Sequence, residues 1–553
     1  MMTLGNWQGL THQPPFQTST MILLSDGRVM VQEEATAHWH ALTPDSSGSY
    51  MNGTWSTLAD MRFWRRYYAS GMLKDGRVIL IGGEQNGDFQ DTNKGEIYDP
   101  VADTWTPLPT PPLPNVGDAS CCVLPDGRFL VGYINDVECV LYDPATNSWS
   151  AAGNKQVRSN EETWVLLPDE TIVTINCIDP HQNNSEKYVI GADTWKSEGP
   201  QPVPMVDPVM SEIGPAMLLP NGKVIFFGAN NAAIRGSKTT SGRTVIFTPP
   251  PVPTGTGTWT EGPNIPHVGN QAIVCNDCPA SLLPNGKVLF AGAPWVYNDW
   301  GAPIYFFEYD PDTNTIAQAP TPANNGQQIF WSRLMLLPTG QVLFSPSSQD
   351  IQCYTPVGGP KEAWRPTIAT ILPCCESGGY LLKGTQLNGL SQANMYGDDC
   401  TPATNYPLVR LRSSSTGRVY YARTYDFSTM GVATGASLQS TRFALPAMPY
   451  GSYDLCVIAN GISSHCVDFC YQPHKHCCCP QEAHDCRCGC QCARSCACEQ
   501  KQTDPVVANL QSTVKSLQNS IARLSAMVQP SQEVRQPKEA KAATKSSGSK
   551  AKK

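Results

Sequence analysis

Charge is sparse in this chain: Asp, Glu, Lys and Arg make up 16% of its 553 residues. Met1 to Leu10 carries no basic start followed by an apolar core, so a secretory signal is not expected. No apolar run approaches the about 18 residues of a membrane-spanning helix. The plain expectation is a cytoplasmic protein without a membrane span, with export that leaves no N-terminal signature as the alternative. Helical periodicity is also missing before residue 503, which leaves short strands and tight turns. The formal net charge is −8, and the stretch after Gln529 holds seven Lys or Arg against two acids. The body is therefore more acidic than the total, and an acidic body is a poor nucleic-acid binder.

What the chain has is turn residues and a repeat. It contains 45 Gly and 47 Pro with 41% apolar residues, a composition that suits a turn-rich all-β protein. A tight turn recurs at Asp26-Gly27, Asp75-Gly76, Asp126-Gly127, Asp169-Glu170, Asn221-Gly222, Asn285-Gly286 and Thr339-Gly340. After each turn comes an apolar strand, such as Val78 to Ile81 or Val224 to Phe227, whose two faces must both be covered. Downstream of each lies an aromatic or apolar residue: Trp55, Trp105, Trp149, Trp195, Trp259, Ile316 and Trp364. A period of about 50 residues built from short strands is the signature of a kelch-type β-propeller. Type I′ turns are expected, with both central residues at positive φ. Tyr98-Asp99-Pro100 is expected to start an outer strand, where Pro leaves the ladder intact. Trp7 is the spare aromatic and the candidate for a closing strand.

The fold class read from this pattern is all-β: a seven-bladed propeller over 1–366, then an immunoglobulin-like (E-set) sandwich over 367–471. Residues 472–500 form a Cys-rich segment with Cys477, Cys478, Cys479, Cys486, Cys488, Cys490, Cys492, Cys496 and Cys498. Thiolates at this spacing, with His474, His476 and His484 nearby, suit zinc or copper(I). A disulfide knot is the competing reading. With 22 Cys in a chain lacking a signal, thiols or metal are favoured over disulfides. Over 503–529 a helix starts at Asp504-Pro505, with β-branched residues at a and Leu at d (Val507, Leu510, Val514, Leu517, Ile521, Leu524, Val528). That pattern favours a parallel coiled-coil dimer, a helix docked on its own chain being the other reading. The Lys-rich tail 530–553 has nothing to bury.

Loops before the inner strands of a propeller converge at one mouth of its channel, the usual place for a ligand. They supply Arg66, Tyr67, Arg158, Glu161, Glu162, Glu212, Trp331 and Arg333. Carboxylates beside Arg could serve acid-base chemistry, hold a sugar, or join blades as ion pairs. Trp331 and Trp64 could stack on a sugar ring or serve as core wedges. His38 and His40 offer two imidazoles on one strand face, and Cys275-x₂-Cys278 is read as structural.

Arg66-Tyr67-Tyr68-Ala69-Ser70, with Tyr67 eight residues before an Asp-Gly-Arg-Val strand, resembles the galactose oxidase and glyoxal oxidase group of copper radical oxidases. The likeness extends over roughly residues 1–470. The layout is also similar to bacterial kelch proteins of unknown activity that share Tyr396 to Asp399 and Ser428 to Val432. The resemblance implies copper held by two Tyr and two His, with one Tyr cross-linked to a Cys. Tyr67 falls on that Tyr. Thr18 stands at the Cys, Phe330 and Trp331 at the Tyr-His pair, Gln85 at the stacking Trp, and Ala433 to Ser437 lacks the final His. The expectation is a propeller without a cofactor, serving non-catalytic recognition of a glycan or protein ligand and oligomerised through the C-terminus. The alternatives are a radical oxidase of alcohols or aldehydes with altered ligands, using Tyr67, and a soft-metal protein acting through its tail.

Overall fold

A computed structural model describes residues 4–85, 90–134, 136–178, 183–229, 240–374, 379–393 and 403–472. The chain divides into two units, Met1–Cys477 and Cys478–Lys553. Everything described belongs to the first. Tyr396 to Asp399, the nine clustered Cys, the expected helix and the Lys-rich tail lie outside the described residues.

Seven antiparallel sheets form a propeller. The first is Thr18–Leu23, Val29–Glu33, Trp39–Thr43 and Thr54–Leu58. The seventh contains Arg333–Leu336, Val342–Ser345 and Gln352–Thr355 and is completed by Asn6–Gly9, which pairs with Gln352–Thr355 in the register Trp7↔Tyr354. Trp7 thus closes the ring as expected. It also takes the outer-strand place of blade seven that had been given to Trp364. Trp364 instead ends a short 3₁₀ turn and lies over the Asn285-Gly286 turn, where a Cβ on Gly286 would sit 2.5 Å from its ring.

The second strand of each blade is buried on both faces, as in Val78–Ile81 and Val224–Phe227. The outer-strand indoles join blade to blade. In five of them Nε1–H donates to a carbonyl where the preceding blade ends: Trp55 to His12 (2.9 Å), Trp105 to Ala59 (2.9 Å), Trp149 to Pro109 (2.8 Å), Trp259 to Glu198 (3.2 Å) and Trp7 to Pro320 (2.7 Å).

Two turn expectations are corrected. In the Asp-Gly turns only the second residue has positive φ, as at Gly27 (83°) and Gly76 (83°), with Glu170 (60°) in blade four. These are type I turns closed by a left-handed residue: Gly27 N–H donates to Leu24 O (3.0 Å) and Leu24 N–H to Arg28 O (2.7 Å). Asp suits the turn for its side chain rather than for positive φ, because Asp26 accepts from the Arg28 backbone (3.1 Å) and the Arg28 guanidinium (2.8 Å). The Tyr-Asp-Pro motif ends the third strand, Gly95–Asp99, and Pro100 lies in the next turn. The Tyr98 hydroxyl then holds Asp103 (2.8 Å), whose φ of 51° reverses the chain.

After the propeller come eight further strands, from Thr370–Pro373 to Val467–Tyr471, in one curled antiparallel sheet around Leu382, Val409, Leu411, Phe443, Leu455 and Val457. Cys456 and Cys466 form a disulfide here, against the expectation of thiols, while nine other described Cys are free. This sheet rests on the Asp-Gly turns. Thr424 N–H donates to Ser25 O (3.1 Å), Phe427 N–H to Lys74 O (2.9 Å) and Met430 N–H to Pro125 O (3.0 Å), so one segment crosses the turns of three successive blades. The connection around 391–393 enters the channel axis. There Gln392 accepts from Leu166 N–H (2.9 Å), Ala393 O accepts from Leu282 N–H (2.9 Å), and Ser391 Oγ lies 3.6 Å from Met217 Sδ.

Asn460 holds that plug in place. Its side chain accepts from Leu390 and Ser391 N–H (2.7 and 3.2 Å) and donates to Ser391 O and Thr404 O (3.0 and 3.2 Å). Asn460→Ala strands several buried backbone groups, each costing about 1–3 kcal/mol. A stability loss of about 3 kcal/mol in urea unfolding is the expected result, with Asn460→Asp recovering the two accepted bonds.

Candidate functional site

The mouth opposite the Asp-Gly turns is built from the loops that precede the inner strands. Arg65–Arg66 is a short strand paired with Glu84–Gln85. Strand alternation sends its two guanidinium groups to opposite sides. Arg65 is fully buried and meets Glu96 at 2.5 Å, itself fully buried. Arg66 turns to the mouth, 3.2 Å from Glu84 and 3.9 Å from Glu34. Tyr67 follows in a left-handed conformation, φ 55°, unusual for an aromatic residue. The Arg66 guanidinium lies 4.8 Å from the Tyr67 ring and 5.7 Å from the Trp331 ring. Arg333 closes the turn that carries Trp331, donating to Phe330 O (2.7 Å) and Ser332 O (2.8 Å).

The rings form a continuous strip. Trp300 lies 4.7 Å from Phe330, Phe330 4.6 Å from Trp331, and Trp331 6.5 Å from Tyr67. Beyond Tyr67 the character changes to acid. Glu161, Glu212 and Asp277, each just ahead of the inner strand of successive blades, bring carboxylate oxygens within 4.8 Å of one another. Their loops are tied together: Asn160 donates to Ser211 O (3.0 Å) and Asp277 N–H to Ile213 O (3.0 Å). Burial pushes the Tyr67 phenol above its ordinary pKa; Arg333 and Arg66 oppose the shift, and Asp277 and Glu34 add to it. Tyr67 is thus the point where ring strip, cations and acids meet.

The sequence-derived set therefore splits. Arg66, Tyr67, Trp331 and Arg333 come together, and Glu161 joins Glu212. Glu162 does not reach the mouth: it is fully buried in an ion pair with Lys155, which also lies 3.3 Å from Glu186. Burial lowers the Lys155 pKa and Glu186 opposes that. Arg158 is exposed. The two His are separately engaged, His38 with Asp60 (2.9 Å) and His40 with Glu33 (3.2 Å) while stacked on Phe16. They form no common metal site. Trp300 and Asp277 were missed. Asp277 occupies the same place before its strand as Glu161 and Glu212, between Cys275 and Cys278, which are both buried against Ala291 O.

The donor set does not fit a soft redox metal. Thr18 is buried, donating to Ser348 O (2.9 Å) and bonded to the Ser345 hydroxyl. Phe330 and Trp331 stand beside Tyr67 as rings, and the charged groups acting on Tyr67 are guanidinium and carboxylate. Copper of this kind needs imidazole, thiolate and phenolate.

This fold defines a seven-bladed β-propeller protein. The Kelch motif matches residues 65–112. A galactose oxidase from Gibberella zeae is 37% identical over 84 residues, 15% of this chain and 12% of that protein. The Kelch-like protein terF of Aspergillus terreus is 32% identical over 126 residues, 22% of this chain and 26% of that protein. The chain thus spans about a quarter or less of these relatives. Among solved structures, a fungal alcohol oxidase in complex with copper covers 85% of this chain and 99% of its own at 14% identity and a TM-score of 0.49. A virginiamycin B lyase from Staphylococcus aureus covers 64% of this chain at 12% identity and a TM-score of 0.44. The chain thus carries a Kelch motif and is similar over a short stretch to galactose oxidase. Among the described residues no helix is long and apolar enough to cross a membrane.

Proposed function

We propose that the protein is a non-catalytic recognition protein that binds a glycan at the propeller mouth. The observation that carries the reading is the ring strip Trp300–Phe330–Trp331–Tyr67, capped by Arg66 and running into the acids Glu161, Glu212 and Asp277. Aromatic faces stack on the apolar faces of sugar rings, and carboxylates accept from their hydroxyl groups. The positions that the likeness to copper oxidases assigns to metal ligands carry hydrocarbon and hydroxyl groups here, which supports binding over turnover.

Titration of neutral oligosaccharides against tryptophan fluorescence tests the reading. Trp331→Ala is expected to weaken binding about 30-fold, the equivalent of about 2 kcal/mol for a central aromatic anchor. Saturable binding of a protein partner but of no saccharide would replace the glycan with that partner. Copper-loaded protein assayed for peroxide on galactose, glyoxal and simple alcohols tests the oxidase alternative, and turnover that Tyr67→Phe abolishes would overturn the proposal. The tail adds two proposals read from sequence alone: zinc or copper(I) on the Cys477–Cys498 thiolates, and a parallel dimer through 503–529. Native mass spectrometry under non-reducing conditions reports both.

A further inference from the structure

A second recess lies away from the mouth, at the seam between blade one and the second sheet. It has a volume of about 510 Å³ and is lined by Ser46, Ser413, Thr416, Arg418, Tyr420 and Tyr453, among others. A neighbouring recess of about 300 Å³ shares Ser46, Arg418 and Tyr420 with it, so the two form one groove with Arg418 at its middle.

Arg418 differs from six arginines of the propeller. Arg28, Arg65, Arg66, Arg77, Arg128 and Arg243 each face a carboxylate. Arg418 is exposed and has no carboxylate partner among the described residues; its guanidinium lies 5.4 Å from the Tyr420 ring. Arg412, on the adjacent strand, also lacks a carboxylate partner there. In a chain of formal charge −8, a guanidinium left unpaired in a concave, hydroxyl-lined groove points to a ligand that brings its own negative charge. The acids nearby do not supply it: Asp26 is taken by Arg28 (2.7 Å), and one Asp45 oxygen is taken by Ser47 and Ser49 N–H (2.8 and 2.9 Å).

The groove is also held in shape. Gly417, at φ 73°, donates to Ser413 O (2.8 Å) and closes the hairpin, and Val419 N–H donates to Ser46 O (2.8 Å), pinning the hairpin to blade one. Tyr420 meets Tyr453 edge-on at 6.1 Å, and Tyr450, 60% exposed, lies tilted against Tyr471 at 4.7 Å. The planar guanidinium fork suits two oxygens of one anionic group. Flanking tyrosine rings and serine or threonine hydroxyls suit the sugar that carries it.

We infer that this groove is a second binding site, specific for an acidic saccharide whose carboxylate or sulfate is held by Arg418. It is independent of the ligand taken at the mouth. Calorimetric titration of the full chain with a hexagalacturonate, a sulfated hexasaccharide and a neutral hexasaccharide tests the inference. At least one acidic probe is expected to bind, tenfold or more tighter than the neutral one, with affinity that falls as salt rises. Which acidic probe binds tells carboxylate from sulfate. Arg418→Gln is expected to remove the acidic preference, Arg418→Lys to retain part of it, and Trp331→Ala to leave it unchanged. Equal binding of acidic and neutral probes, no binding of either acidic probe, or unchanged affinity in Arg418→Gln would overturn the inference. Loss of acidic binding in Trp331→Ala alone would place that ligand at the mouth and overturn it too.

Discussion

Glu96→Ala is expected to destabilise the protein by about 3–5 kcal/mol, the cost of leaving one member of a buried ion pair without its partner. Both side chains are fully buried and meet at 2.5 Å. Arg65 also donates to Lys94 O (2.5 Å) and Phe63 O (3.2 Å), and Glu96 accepts from the Arg62 and Phe63 backbones (2.9 and 3.2 Å). Burial lowers the Arg65 pKa, and Glu96, with a smaller contribution from Tyr68, opposes the shift. Removing the carboxylate strands a guanidinium and two backbone donors together. The double change Arg65→Met with Glu96→Leu is expected to recover a large share of the loss, because the desolvated charge goes with its partner. Urea unfolding of the three variants decides the matter; a single-variant loss below about 1 kcal/mol would mean that water reaches the pair. Since Arg65 precedes Arg66 and Tyr67, the single variant is also expected to weaken any ligand at the mouth, whereas the double variant largely spares it.

Trp7→Ala is the second large effect, expected at about 3 kcal/mol or more. The indole packs among Phe306 (4.8 Å), Tyr354 (4.9 Å) and Phe344 (5.7 Å), and its N–H reaches Pro320 O. The strand it anchors is the ladder that joins the two ends of the ring within blade seven. Loosening it exposes the Gln352–Thr355 edge, and open edges pair with other chains. Lower thermal stability together with concentration-dependent aggregation on a sizing column is therefore expected. Trp364→Ala, at a half-buried turn, serves as the comparison and is expected to cost about 1 kcal/mol. Equal losses for the two would show that closure contributes nothing special.

Much of the fold was legible because its signals are local. A Leu-x-Asp-Gly turn needs only four neighbouring residues to declare itself, and two-sided burial appears as an unbroken apolar run. The turn type was misjudged for a reason equally local: Asp and Gly at adjacent positions suit two geometries, and only the backbone distinguishes a single left-handed Gly from a pair. Trp364 misled because spacing from a turn cannot tell an outer strand from a linker once the blade takes that strand from the other end of the chain.

The mouth was half legible. Arg66, Tyr67 and Trp331 could be picked out because each precedes an inner strand, but Glu161 and Glu162 are neighbours with equal claims on the same place. The repeat, the seven blades and the closing Trp7 were determined by the sequence itself, since they rest on patterns within one turn or one period. Only the tertiary structure decided that Glu161 joins Glu212 and Asp277 while Glu162 is drawn inward by Lys155, and that Arg418 lines a groove whose acids are engaged by other groups. Those outcomes depend on which groups from distant blades come within a few ångströms, and charge pairing across space leaves no period along the chain.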